Sequence, residues 1–292
     1  MIDSKRVEQF RVKPGKKVRL KNYDPGWQPE GKAVQEQVEK LMAEDLEKLY
    51  VAQGKLYAKD EWSILLVLQA MDAAGKDGVV KHVTGGLNPQ GCNVHSFKAP
   101  STEELDHSFL WRCMKAAPAR GQITIFNRSH YEEVLVVKVH QEFLRKQKLP
   151  AKVITKSLWK ERYEDINNFE QHLARNGTRI IKIFLNVSKE EQKRRFLERL
   201  DKPEKNWKFS IGDLTERSYW DEYMHAYEEM LEATSTKHAP WFVIPADHKY
   251  VTRAAVAEIL TKTILEVATG YPEVGPEAKL ALAKARAKLI SE

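Results

Sequence analysis

The chain has 292 residues, 42% of them hydrophobic and 30% charged, which excludes a disordered chain and is long enough for one large domain or two small ones. No apolar run approaches the roughly 20 residues that span a bilayer, and residues 1–21 are polar and basic without the apolar core of a secretory signal, so a soluble, cytoplasmic protein with no membrane partner is expected. The net charge of +7 favours anionic ligands. Two cysteines, Cys92 and Cys113, are too few for a disulfide framework or a zinc site and are expected to be buried and inert.

Residues 1–30 mix charge with Pro14, Gly15, Pro25, Gly26 and Pro29 and read as an irregular basic arm. Val34, Val38, Leu41, Met42, Leu46 and Leu49 then recur at three- and four-residue steps, the stripe of an amphipathic helix. Ser63–Gln69 is continuously apolar, as buried parallel strands are. A short helix to about Thr84 stops at Gly85 and Gly86, and 92–98 reads as a second strand. Ser101-Thr102-Glu103-Glu104 is a capping box opening a helix to about Ala117. Ile123–Asn127 is the third strand, 131–146 a helix with a Val-rich middle, and 159–176 a helix closed by Gly177. A fourth strand at 179–187 precedes a second capping box, Ser188-Lys189-Glu190-Glu191, and a basic helix to about Leu200. Residues 201–213 read as a loop and 215–233 as a helix whose Tyr219, Tyr223, Tyr227 and Met230 pack into the core. A fifth strand at 241–244, a helix at 251–268 and a tail at 271–292 complete the chain. Strands alternating with helices predict an α/β fold with a mostly parallel five-stranded sheet, one domain over 31–270.

After the first strand, Ala70-Met71-Asp72-Ala73-Ala74-Gly75-Lys76-Asp77-Gly78 runs straight into a helix. This is the P-loop pattern with Ala70 in the first glycine's place and Asp77 in the hydroxyl's place. Ala73, Ala74, Gly75, Lys76, Asp77 and Gly78 would turn backbone N–H groups and the helix dipole on a phosphate, with Lys76 as a mobile charge and Lys81 one turn behind. The plain alternative is a helix N-terminus that happens to carry Gly-Lys. Asp72 in an anion-binding loop calls for a cation, and Mg²⁺, which takes one or two carboxylates beside phosphate oxygens, suits it. The third strand ends in Asn127-Arg128-Ser129-His130-Tyr131-Glu132, polar residues where an open α/β sheet binds ligands. Lys189, Lys193, Arg194, Arg195, Arg199, Lys202, Lys205 and Lys208 crowd one helix and the following loop. Arg194 and Arg199, followed by Lys202 and Lys208, are the first choices for phosphate contact, against the alternative of a solvated helix face.

These runs, together with Gly85-Gly86-Leu87-Asn88-Pro89, Glu161-Arg162-Tyr163-Glu164 and the stretch 202–210, resemble the family-2 polyphosphate kinases over roughly residues 30–270. The resemblance implies a three-layer P-loop kinase-like fold with a helical lid at about 188–213. It also implies Mg²⁺-dependent, reversible transfer between inorganic polyphosphate and AMP, ADP and ATP, no nucleic-acid partner, and assembly as a homodimer or homotetramer. By position, Asp72 would hold Mg²⁺, Lys76 the phosphates and Arg128 the transferring phosphates. Asn127, His130 and Glu132 stand where members acting on diphosphates alone read Asp-Arg-Ser-Trp-Tyr-Asn. This is similar to members that accept monophosphates, with Asn127, Arg128 and Glu132 as nucleotide contacts and Glu132 as a candidate for nucleotide or metal. Direct in-line transfer is expected, with His130 packing beside the site rather than forming a phosphoenzyme. The competing readings are a thymidylate-kinase-like nucleoside or nucleotide kinase using ATP alone, and a non-enzymatic polyanion binder.

Overall fold

Continuous apolar sequence is what a strand covered on both faces requires, and β1 (Ser63–Gln69) is buried at every position. The structure is a computed structural model in which residues 4–30 and 34–292 are described. β2 (Cys92–Ser96), β3 (Ile123–Asn127), β4 (Thr178–Asn186) and β5 (Trp241–Pro245) join β1 in a parallel sheet of order β2-β3-β1-β4-β5. The helices of two turns or more are α1 (Val34–Lys59), α2 (Lys76–Thr84), α3 (Leu158–Arg175), α4 (Lys189–Asp201), α5 (Ile211–Ser218), α6 (Trp220–Thr234), α7 (Lys249–Val267) and α8 (Pro276–Ser291). The β1–β2 connection moves one way along the sheet and the β3–β4 and β4–β5 connections the other. Right-handed crossovers therefore put α2 on one face and α3 and α6 on the opposite face. α1 and α7 pack on each other, and α7 packs on α2, which completes a three-layer α/β fold. The chain turns back on itself at β1, so the carboxyl ends of β1, β3 and β4 flank one crevice.

The strands lie within a residue or two of their expected places. The helices differ more. The helix opened by the Ser101 capping box stops at Leu105 and a second one spans Trp111–Lys115. Between them His107 Nδ1 bonds the Glu103 carbonyl (2.8 Å) and Ser108 Oγ accepts from Leu110 N–H, local bonds that compete with the helix. The 131–146 segment is likewise not one helix. It breaks into a 3-10 turn, His130–Val134, and short helices Val136–Val139 and Glu142–Lys146, as β-branched crowding favours. Residues 201–213 are more ordered than a loop: a 3-10 turn at Pro203–Lys208 leads to α5, whose start is a capping box between Ser210 and Asp213. Ser188 forms only half of its expected box. Its hydroxyl accepts from Glu191 N–H, while its own N–H goes to Asp247 Oδ1 at 2.8 Å. Asp247 thereby acts as a brace between α4 and the end of β5.

The arm at the N-terminus lies on the domain. Val7, Phe10, Val12, Val18 and Leu20 are buried in the core, Val12 N–H donates to the Trp241 carbonyl, and Leu20 N–H and Arg19 reach Glu228 on α6. The expected boundary between arm and domain, at residues 30 and 31, falls beside 31–33, outside the described residues. Tyr223, Tyr227 and Met230 are core side chains, whereas Tyr219 stays partly exposed at the α5–α6 junction against His140. The tail carries α8, which is exposed throughout. Cys113 is buried and Cys92 half-buried; burial pushes their thiols up to about 12 and about 11, so both are protonated at neutral pH. No helix among the described residues is long and apolar enough to cross a membrane.

Candidate functional site

The turn from β1 into α2 is built from left-handed backbone. Ala73 has φ 61° and Gly75, the N-cap of α2, has φ 109°, a conformation that L side chains rarely adopt. Within the turn the Ala74 N–H donates to the Met71 carbonyl at 3.3 Å, and the N-terminus of α2 that follows carries the partial positive charge of the helix dipole. Lys76 opens α2 with its stem buried, and its ammonium bonds the Ala70 and Met71 carbonyls at 2.8 and 3.3 Å. Burial, followed by repulsion from Arg128, lowers Lys76 to about 8.

The loop is held from behind by α4. Arg195, only 5% exposed, donates from Nη1 to the Ala73 and Ala74 carbonyls (3.0 and 2.7 Å) and from Nη2 to the Ala246 and Asp247 carbonyls (2.6 and 3.2 Å). Its Nε donates to Glu191 at 2.7 Å, and Gln192 Nε2 donates to the Asp72 carbonyl at 3.0 Å. One buried guanidinium therefore ties the loop to the end of β5.

β3 delivers the second group of residues. Arg128 sits in left-handed backbone at φ 63° while its N–H still bonds Leu68 of β1. Such a strained non-glycine position persists only where its surroundings over-determine it. Its guanidinium pairs with Asp72 at 2.7 Å and with Glu132 at 3.7 Å. Asn127 Nδ2 donates to Asp77 Oδ1 at 2.8 Å. Directly beneath, Ser129 Oγ takes the Gln69 amide and Tyr131 N–H, and the Tyr131 hydroxyl donates to Glu170, the buried partner of Lys182. His130 is buried with Nε2 3.4 Å from Glu170; burial lowers its pKa, which leaves it a neutral packing residue.

Two cavities open on these residues. A cleft of about 720 Å³ is lined by the loop from Asp72 to Gly78, by Asn127 and Arg128, and by Arg195, Arg199, Lys205, Lys208 and Lys249. A narrower cavity of about 260 Å³ adjoins it, with Phe97, Phe109, Phe143 and Val136 among its walls and Arg128, Glu132 and Lys146 among its polar groups. Arg128 lines both. Of the residues singled out from sequence, Asp72, Ala73, Ala74, Gly75, Lys76, Asp77, Gly78, Asn127, Arg128, Arg199 and Lys208 line the cleft, and Glu132 lines the adjoining cavity. Lys81, Arg194 and Lys202 do not. Arg194 pairs with Glu191 and Glu198 on the exposed face of α4, and Lys202 pairs with Glu198. Arg195 and Lys205, members of the basic cluster but not among its first choices, also line the cleft, as do Lys98, Lys249 and Asp213, which the sequence does not single out. For Arg195 and Lys205 the only signal was membership of the basic cluster; Lys98, Lys249 and Asp213 had none.

Among the described residues no group of three or more His, Cys, Asp or Glu side chains gathers as a metal site. The cleft does hold carboxylates in proximity: burial, then the nearby Asp72 carboxylate, raises Asp213 above its usual range. A divalent cation with phosphate and water as its other ligands would relieve that repulsion, so the donor set fits one.

A parallel α/β sheet whose central strand ends in a tight turn at a helix N-terminus, facing a cationic cleft, is the form of an α/β protein suited to phosphate ligands. The family model "Polyphosphate kinase 2 (PPK2)" matches residues 32–269, and the chain belongs to that family. It is 48% identical to an ADP-polyphosphate phosphotransferase of Rhodopseudomonas palustris, over 98% of this chain and 99% of that one. It is 43% identical to an AMP/ADP-polyphosphate phosphotransferase of Meiothermus ruber, over 91% and 96%. The crystal structure of Polyphosphate Kinase 2 from Arthrobacter aurescens TC1 superposes with a TM-score of 0.85 at 41% identity, covering 95% of this chain and 96% of that one.

Proposed function

We propose that the protein transfers phosphoryl groups reversibly and in line between inorganic polyphosphate and adenine nucleotides, with AMP and ADP as acceptors, ATP as product, and Mg²⁺ as the metal. The observation that carries this reading is the pairing of a cationic cleft with a smaller, aromatic-walled cavity through Arg128. A polyanion suits the cleft and a nucleotide base suits the cavity. The names of the Rhodopseudomonas and Meiothermus relatives support the same pair of substrates.

The turn from Ala73 to Gly78 is a P-loop whose N–H groups and Lys76 cradle the donor's terminal phosphates. Loading the site moves the Lys76 ammonium from the carbonyls of Ala70 and Met71 to phosphate. Arg128 leaves its pairing with Asp72 to follow the transferring group, acting where charge spreads over the equatorial oxygens. Mg²⁺ supplies charge neutralisation on the phosphates when bound, and Asp72 would hold it. Asn127, whose amide donates to Asp77, offers no second carboxylate for a metal at its position. Glu132 lines the acceptor cavity at the place expected for members that take monophosphates. The α4–α5 segment, with Arg199, Lys205 and Lys208, serves as a lid that excludes water, and water would otherwise take the phosphoryl group. The exposed Tyr50, Val51 and Tyr57 on α1 offer an apolar face for a homodimer or homotetramer, and these substrates fit a cytoplasmic protein.

Purified protein with Mg²⁺ and long-chain polyphosphate, given AMP or ADP in separate reactions, is expected to yield ADP then ATP, and ATP, on chromatography. ATP from ADP alone would overturn the role given to Glu132. Transfer only when ATP is the donor would favour an ordinary nucleotide kinase. Lys76→Ala and Asp72→Ala are expected to abolish transfer while leaving a folded protein.

A further inference from the structure

The loop after β2 is where the cavities meet. Besides the cleft and the acceptor cavity, a third groove of about 510 Å³ runs along the β2 edge, and Phe97, Lys98 and Ala99 line all three. Among the described residues Lys98 is the one cation common to all three linings. The other cations at the boundary are engaged. Arg128 pairs with Asp72 and Glu132, Arg112 lies 3.7 Å from Glu104 and donates to the Lys98 carbonyl, and Lys76 is bonded to its own loop. No hydrogen bond or ion pair holds the Lys98 ammonium among the described residues.

Its backbone, by contrast, is fixed on both sides. Phe97 N–H donates to the Asn127 carbonyl at 3.1 Å and its ring packs edge-on against Phe126 at 4.9 Å. Arg112 Nη1 grips the Lys98 carbonyl at 2.8 Å, and the Ser101–Glu104 capping box closes the loop three residues on. Lys98 thus sits on a fixed backbone in the wall common to the two substrate chambers, exposed and with its ammonium unengaged.

Resting on the proposed function, we infer that Lys98 is a catalytic residue that accompanies the phosphoryl group from donor to acceptor. An oxygen of the nucleotide's terminal phosphate forms a bond to the terminal phosphorus of polyphosphate. The bond from that phosphorus to the bridging oxygen breaks, and its electron pair leaves with the chain, now one phosphate shorter. Total charge is unchanged and no proton moves. Negative charge builds up between the chambers during this exchange, and a compact cation with no competing carboxylate partner acts there at little reorganisation cost.

The test compares Lys98→Met and Lys98→Arg with the wild-type chain, using Mg²⁺, long-chain polyphosphate and ADP, with thermal unfolding as a folding control for the exposed site. Wild-type activity is established first, and its absence counts against the proposed function alone. If the wild type uses ATP instead of polyphosphate, the same comparison is made with ATP as donor and AMP as acceptor, which yields two ADP. The expected result is a loss of about 10²-fold in kcat for Lys98→Met, as for other single charge-stabilising donors, with each KM changed less than about tenfold and partial recovery in Lys98→Arg. A kcat within about twofold of wild type would overturn the inference. So would a rise confined to the KM for polyphosphate, which would make Lys98 a groove contact only.

Discussion

Lys182 on β4 has no exposed side-chain surface, and its ammonium is shared between Glu170 Oε2 (2.5 Å), the Tyr131 hydroxyl (2.8 Å) and the Thr234 carbonyl (2.7 Å). Lys182→Met keeps most of the volume but leaves the Glu170 carboxylate buried with Tyr131 and His130 and no cation. Breaking one side of a buried pair costs about 3–5 kcal/mol, a large share of the roughly 5–15 kcal/mol that holds a domain together. An unfolding entropy of about 2.1 cal/mol/K per residue over 292 residues is about 0.6 kcal/mol/K, so Tm should fall by about 5–8 °C at pH 7. In the wild type, burial pushes Glu170 up, but Lys182 and His130 outweigh it and hold the carboxyl below its ordinary value. Without Lys182 burial prevails and the folded pKa rises above the unfolded value near 4.5. The penalty is then complete above the new folded pKa and disappears below about 4.5. Circular dichroism melts of wild type and variant should therefore converge on acidification from pH 7 to about 5. Adding Glu170→Met to the variant should restore most of the stability, since an apolar pair replaces an ionic one at little cost. Equal Tm values at pH 7, or a gap that widens on acidification, would refute the reasoning.

Lys76 makes activity depend on pH in the alkaline range. Its ammonium in the free protein is lost as pH rises through about 8, so kcat/KM for polyphosphate should fall above that pH, while bound phosphates keep Lys76 protonated and hold kcat to higher pH. Its stability contribution has the opposite course: a lysine lowered from 10.5 adds stability as pH climbs from about 8 and loses it as pH falls. A kcat/KM flat up to about pH 9.5 would count against the burial of Lys76. Arg195→Met removes the buried guanidinium that ties Ala73, Ala74, Ala246 and Asp247 together. With charged hydrogen bonds worth about 1.5–3 kcal/mol each and not additive, Tm should fall by several degrees and kcat/KM by more than about tenfold. Arg195→Lys should not rescue it, because a single ammonium cannot reach four carbonyls on two segments.

What the amino-acid sequence determines here is local. The unbroken apolar run of β1, the Gly75-Lys76 pair at its end and the apolar run of β3 each specify a strand, the start of a helix and a second strand within ten residues or so, and these were legible in advance. The Ser101 capping box was legible too, but at Ser188 only half of the expected box forms because its N–H is claimed by Asp247 after β5, and the box at Ser210 and Asp213 falls in a stretch that reads as a loop. The arm at 1–30 reads as irregular because it mixes charge with Pro and Gly, yet its partners on β5 and α6 lie about 210 to 230 residues away. The basic helix shows most clearly where local reading ends. Arg194 and Arg195 are indistinguishable by composition, but successive residues on a helix point about 100° apart. The seating of α4 turns Arg195 into the loop and leaves Arg194 facing water, where Glu191 takes it. Which arginine faces the loop follows from the rotation of α4 about its axis, and tertiary contacts set that angle: Gln192 on the Asp72 carbonyl, Ser188 on Asp247 and Phe196 buried beside Phe209.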